Sequence, residues 1–164
     1  MHHRLTHLLT PRWWLRRRFP PATLSAITAA IGAAERQHGG EIRFAIETCL
    51  DLRRMLDPDA GRRRAIELFA QLRVWDTAHN NGVLIYVLLA AHDIHIVADR
   101  GFAGSVTAGE WAGVCRLMEA QFRAGQFAAG SLAGIAAVSA LIGRHFPPRA
   151  DDRNELPDAP VIVS

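Results

Sequence analysis

The feature that most constrains this chain is Val83-Leu84-Ile85-Tyr86-Val87-Leu88-Leu89, an apolar run set between the turn formers Asn81-Gly82 and Ala91-His92-Asp93. Successive side chains of a strand point to opposite faces, so a run with no polar position is covered on both. A sheet with such a strand at its centre needs helices on either side, and the chain around it has the patterns to supply them.

Upstream, Leu24, Ile27, Ile31 and Ala34 recur at helical spacing, which predicts a helix over 23–38, stopped by Gly39-Gly40. Glu41-Ile42-Arg43-Phe44-Ala45-Ile46-Glu47 then alternates, with Ile42, Phe44 and Ile46 on one side. Asp57-Pro58 reads as an N-cap followed by proline at the first helical position. The helix it opens carries Ala65, Leu68, Phe69 and Leu72 inward and leaves Arg62-Arg63-Arg64 mostly in solvent. Downstream, Ile94 to Ala98 pairs as a hairpin with the central run. Thr107-Ala108-Gly109-Glu110 is a capping box. The helix it starts has Trp111, Val114, Cys115, Met118 and Phe122 inward, and a last helix runs from about Phe127 to His145. The order helix, strand, helix, strand, strand, helix, helix predicts a three-layer α/β/α sandwich. Strands 41–47 and 83–89 should be parallel, and 94–98 antiparallel to the latter.

Three segments follow: a basic aromatic arm over 1–22, the α/β domain over 23–148, and an acidic, proline-bearing tail over 149–164. The chain's 164 residues suit a single domain. Its net charge of +3 rests entirely on arginine among 19 basic residues, a modest excess interleaved with acids beyond the arm. The basic residues do not alternate with aromatics across a sheet, so nucleic acid is not favoured. Cys49 and Cys115 lack metal or redox spacing. The uncharged stretch 127–143 is rich in Ala, Gly and Ser and reads as a buried helix. No signal-peptide pattern is found, and the expected location is cytoplasmic, peripheral at the inner membrane face. For the arm two readings stand. Trp13, Trp14, Arg16, Arg17 and Arg18 either anchor on an anionic membrane surface or a membrane protein, or pack onto the domain.

The topology brings Glu41, the loop Asp76–Asn81 and Asp99-Arg100-Gly101 to one sheet edge, near the helix start at Thr107. Carboxylate and amide oxygens from Asp76, Asn81, Asp99 and Glu41 suit Ca2+ or Mg2+. Arg100 and the helix start at Thr107 suit an anion. The alternative is that these residues cap turns and form ordinary ion pairs. His92 and His95 differ by an odd number and make a poor metal pair. Neither cysteine has arginine six positions on, and glycine-loop, G-x-S-x-G and H-E-x-x-H signatures are missing, so the catalytic residues are unknown.

Several of these segments carry a family resemblance. Gly40-Glu41-Ile42-Arg43-Phe44, Val74-Trp75-Asp76-Thr77, Asn81-Gly82-Val83-Leu84-Ile85-Tyr86-Val87, Ile96-Val97-Ala98-Asp99-Arg100-Gly101 and Asn154-Glu155-Leu156-Pro157-Asp158 together resemble the TPM-domain family. The resemblance spans about Leu24 to Pro147 plus that tail segment. It implies an α/β/α sandwich with a small mixed sheet. It also implies roles linked to acid phosphatase activity, calcium binding and membrane-complex assembly, with the cation site on Asp76, Asn81, Asp99 and, less strongly, Glu41. Trp75-Asp76-Thr77-Ala78-His79 replaces the glycine-rich loop of longer members. The functional expectation is a divalent-cation-binding interaction and assembly module. Its alternative is a weak metal-dependent phosphomonoesterase in which Arg100 holds phosphate and water attacks.

Overall fold

The structure is a computed structural model that describes residues 12–51, 54 and 57–163; the first eleven positions of the arm lie outside them. The described residues form five α-helices and a four-stranded sheet. In chain order these are α1 (Arg12–Arg18), α2 (Pro21–Glu35), β1 (Glu41–Glu47), α3 (Ala60–Gln71), β2 (Gly82–Leu88), β3 (Asp93–Ala98), α4 (Ala108–Arg123), α5 (Phe127–Gly143) and β4 (Val161–Val163). The sheet order is β3-β2-β1-β4. As expected, β1 runs parallel to β2, with Glu41 opposite Gly82, and β3 runs antiparallel to β2, with Ala98 opposite Val83.

The two faces of the sheet carry separate cores. Ile42, Phe44, Ile46, Val83, Ile85 and Val87 point to α2, α4 and α5, meeting Ile27, Ile31, Phe122 and Val138. Ala45, Leu84, Tyr86 and Leu88 point the other way, to Ala65 and Leu68 of α3 and Leu156 of the tail. The central strands β1 and β2 thus divide their side chains between two helical layers, which is the α/β/α sandwich. No described helix is long and apolar enough to cross a membrane. Helix α5 buries Gly130, Ser131, Gly134, Ile135, Val138 and Ile142 against the domain.

The structure departs from the sequence reading at the tail, at the start of α3 and at Arg64, and over residues 12–22 it follows the packing alternative for the arm. The tail over 149–164 does not end as an appendage: Val161–Val163 adds a parallel strand beside β1, Ala45 opposite Val161. The arm holds a helix, and its Leu15 and Phe19 lie four apart on one face within the core. Phe19 is 2 % exposed, so residues 12–22 are continuous with the domain. Helix α3 starts at Ala60, because the Asp57 side chain closes a local turn on the Asp59 N–H (2.9 Å) before the helix begins. Finally, Arg64 is not in solvent. It reaches back to β1 and holds the Glu47 carboxylate at 3.0 Å.

Candidate functional site

The sheet edge forms as the chain order dictates. Parallel β1 and β2 start there and antiparallel β3 ends there, so Glu41 N donates to Asn81 O (3.2 Å), Asp99 N to Gly82 O (2.9 Å) and Gly101 N to Asn80 O (2.9 Å). Two glycines make this crossing feasible. A Cβ on Gly82 would stand 2.1 Å from Val74 O, and one on Gly101 would stand 2.3 Å from Asn80 O.

The predicted residues meet here by backbone but do not converge by side chain. Asp76 is exposed and pairs with Arg73. Buried Asn81 donates its side-chain N–H to Gly39 O and falls on the β2 side that faces α2 and α5, with Val83. Glu41 and Asp99 take the α3 side, on either side of Gly82, two strand spacings or about 10 Å apart. The Val74 carbonyl fills the space over Gly82 between them. Glu41, 5 % exposed, accepts from Leu156 N at 3.0 Å, and burial pushes its carboxyl above the usual range. Asp99 Oδ1 accepts from Arg100 N at 2.7 Å. The four ligands expected for one Ca2+ or Mg2+ are therefore distributed over two faces. Among the described residues no three His, Cys, Asp or Glu side chains gather as a metal-holding group. Two oxygens at the edge are nonetheless buried without a hydrogen-bond partner, Asn81 Oδ1 and Asp99 Oδ2.

The anion residues are also committed elsewhere. Arg100 Nε donates to Asn80 Oδ1 at 2.9 Å. Thr107 completes the expected capping box: its hydroxyl accepts from Glu110 N (3.2 Å), and Glu110 Oε2 accepts from Thr107 N (2.9 Å). His95 bonds Asp93 at 2.9 Å and stacks on Tyr86, which leaves it a structural role.

Two polar arrangements escaped the sequence reading. Tyr86 OH donates to Glu47 Oε2 (2.7 Å), which Arg64 also holds, so a phenol, a carboxylate and a guanidinium satisfy one another beneath α3. Beside β1, Arg43 bonds Pro157 O and Ala159 O (2.8 Å) and anchors the tail. There Glu35 accepts from Ile42 N at 2.8 Å and lies close to Glu41 and Asp158; burial, reinforced by those acids, pushes it up to about 8. The signal for both was the charge on alternate positions of β1, which patterning alone reads as a wet face.

On α1 Leu15 is buried, as is Phe19 just after the helix, and Trp14 packs partly against the core. Trp13 stands out at 59 % exposure, and Arg16 and Arg17 are exposed. Arg16, Arg17 and Arg18 make no ion pair with any described carboxylate. Of the two readings for the arm, Trp14 follows the packing one and Trp13 points outward.

The TPM domain family matches residues 17–141. The BA42 protein of the psychrophilic bacterium Bizionia argentinensis is similar in structure, with a TM-score of 0.76 at 30% identity over 87% of this chain and 93% of that one. The N-terminal domain of a P. gingivalis protein shares the fold, with a TM-score of 0.61 at 19% identity over 79% of this chain and 81% of that one. No curated protein sequence matches the chain. The family match covers most of the chain, and the mixed sheet with its two helical layers agrees with it: the chain belongs to the TPM-domain family.

Proposed function

We propose that this TPM domain is a non-catalytic interaction module that docks, reversibly, on an anionic membrane surface through the outer face of α1. The observation that carries this reading is the combination of Trp13, 59 % exposed, with Arg16 and Arg17, exposed and free of carboxylate partners among the described residues. A tryptophan sits well at headgroup depth, and each arginine near anionic lipid contributes about 1 kcal/mol. Leu15 and Phe19 fix the helix to the core, so the exposed residues are presented without ordering a loose segment. A handful of such terms gives weak, salt-sensitive binding.

A second reading keeps a divalent cation, anchored at Asp99. Its Oδ2 is buried without a partner, and a carboxylate oxygen is the donor a hard cation takes. With Glu41 and Asp76 held by Leu156 and Arg73, such an ion would rely on one side chain and be weakly held. Phosphomonoesterase activity is subordinate to this reading, because no described side chain offers an activated nucleophile. Burial pushes the Cys115 thiol up to about 11, far from a thiolate at neutral pH.

Sedimentation with phosphatidylglycerol-containing and pure phosphatidylcholine vesicles tests the docking reading. The full chain should pellet with the first only, and Arg16→Gln/Arg17→Gln should stay in the supernatant with an unchanged circular dichroism spectrum. Equal binding to both vesicles, or none, would reject it and direct the search to a protein partner.

A further inference from the structure

Between α1 and the first turn of α5 lies a cavity of about 730 Å³, lined by Trp13, Trp14, Arg17, Arg18, Gln126 and Phe127 among others. Its central feature is the Arg18 guanidinium. The carbon at its centre sits 3.5 Å from the centroid of the Trp14 ring and 5.2 Å from that of Phe127. Stacking of this kind occupies the faces of a guanidinium and leaves its N–H donors, which lie in the plane, for another acceptor. No described residue supplies one: Arg18 makes no ion pair, and its Nε is buried without a hydrogen-bond partner.

A buried donor on a cation is costly to leave unmatched. Here the cost is compounded. Arg17 adds a second positive charge at the same cavity, and burial together with that charge lowers the Arg18 pKa. The other wall carries no compensating acid either. Helix α5 begins without a side-chain cap and without an acidic residue in its first turn, so its free N–H groups add positive potential. Two arginines, an aromatic clamp and an uncapped helix start therefore line a space that carries positive charge and no carboxylate, its neutral polar side chains being Thr23 and Gln126.

We infer that this cavity seats the phosphate group of an anionic lipid headgroup, with Arg18 as its bidentate donor and Arg17 as its second charge. The inference rests on the membrane-docking reading and specifies its contact: the exposed Trp13 borders the same cavity, so a lipid whose phosphate lies on Arg18 can have its glycerol and acyl chains alongside that ring. A guanidinium prepared by two rings suits a phosphate, whose oxygens accept two parallel hydrogen bonds.

The test uses the full chain and follows tryptophan emission during titration with short-chain phosphatidylglycerol below its micelle concentration. Phosphatidylcholine of the same chain length, glycerol phosphate and inorganic phosphate are titrated in parallel. Saturable binding of the phosphatidylglycerol, displaced by millimolar glycerol phosphate, is expected. Arg18→Gln should weaken it at least tenfold, and Arg17→Gln by a smaller factor. Arg62→Gln, which removes the same charge from the exposed side of α3, should leave it within twofold. Binding of inorganic phosphate as tight as that of the lipid would assign the site to the free anion and overturn the lipid assignment. Equal losses in Arg18→Gln and Arg62→Gln would reduce the effect to net charge and overturn the site. If Arg18→Gln proves unfolded by circular dichroism, the Arg17→Gln and Arg62→Gln pair decides on the same criterion. Vesicle binding that survives while the short-chain lipid fails to bind overturns this inference alone. Loss of vesicle binding by the unaltered chain removes the docking reading itself.

Discussion

The ring of Phe19 stands edge-on to that of Phe127, 5.8 Å between centroids, and joins the arm to the start of α5. Phe122 completes the cluster, 6.1 Å from Phe19 and 5.0 Å from Phe127. Aromatic edges packed this way contribute beyond the area they bury. Phe19→Ala should lower the free energy of unfolding by about 3–5 kcal/mol in urea titrations. Deletion of residues 1–20 should destabilise the domain by at least as much. A truncated chain as stable as the full one would show that α1 contributes nothing to the core.

Arg43 ties the tail to the sheet. Replacing it with Met removes the donors to Pro157 O and Ala159 O and leaves those carbonyls to water. Hydrogen exchange at the amides of Val161–Val163 should accelerate, and global stability should fall by about 1–3 kcal/mol. Unchanged protection in β4 would mean that strand pairing alone holds the tail.

Glu35 predicts a pH dependence of defined sign. Its folded carboxyl is pushed up to about 8 from an ordinary 4.5, so the folded chain keeps a proton that the unfolded chain releases. The stability this proton supplies is fully present below about pH 4.5 and is lost as pH rises toward 8. Glu35→Gln should flatten that decline, giving a gain over the unaltered chain of about 1–3 kcal/mol at pH 8 relative to pH 5. Parallel stability curves for the two proteins would contradict the assignment.

The cation reading makes its own prediction. In calorimetric titration with calcium or magnesium, Asp76→Asn and Glu41→Gln should leave any binding heat unchanged, since Arg73 and Leu156 already occupy those carboxylates. Asp99→Asn should abolish it. Loss of binding in Asp76→Asn would restore the four-residue site expected from the sequence.

Much of the fold was legible because two periodicities dominate the sequence. The unbroken run at Val83 could only be a strand covered on both sides, and Ile42, Phe44 and Ile46 announced one buried face of β1. The capping box at Thr107 was legible because its two partners are local. What stayed hidden depends on distant chain. Nothing near Glu41, Arg43 and Glu47 shows that the tail, some 110 residues later, and Arg64 would cover them. Val161–Val163 is too short to read as a strand until β1 offers it an edge. The candidate cation site was legible as a meeting of backbones. Its side chains separated because one-residue steps along β2 alternate faces and Val74 occupies the gap over Gly82.

If the exposed face of α1 enters an anionic membrane surface, Trp13 reports on it directly. Tryptophan emission should shift to the blue on adding phosphatidylglycerol vesicles and should be quenched by lipids brominated near the headgroup. Both responses should be lost in Trp13→Phe and suppressed at high salt. A shift that persists in Trp13→Phe, or no shift in the unaltered chain, would contradict docking through α1.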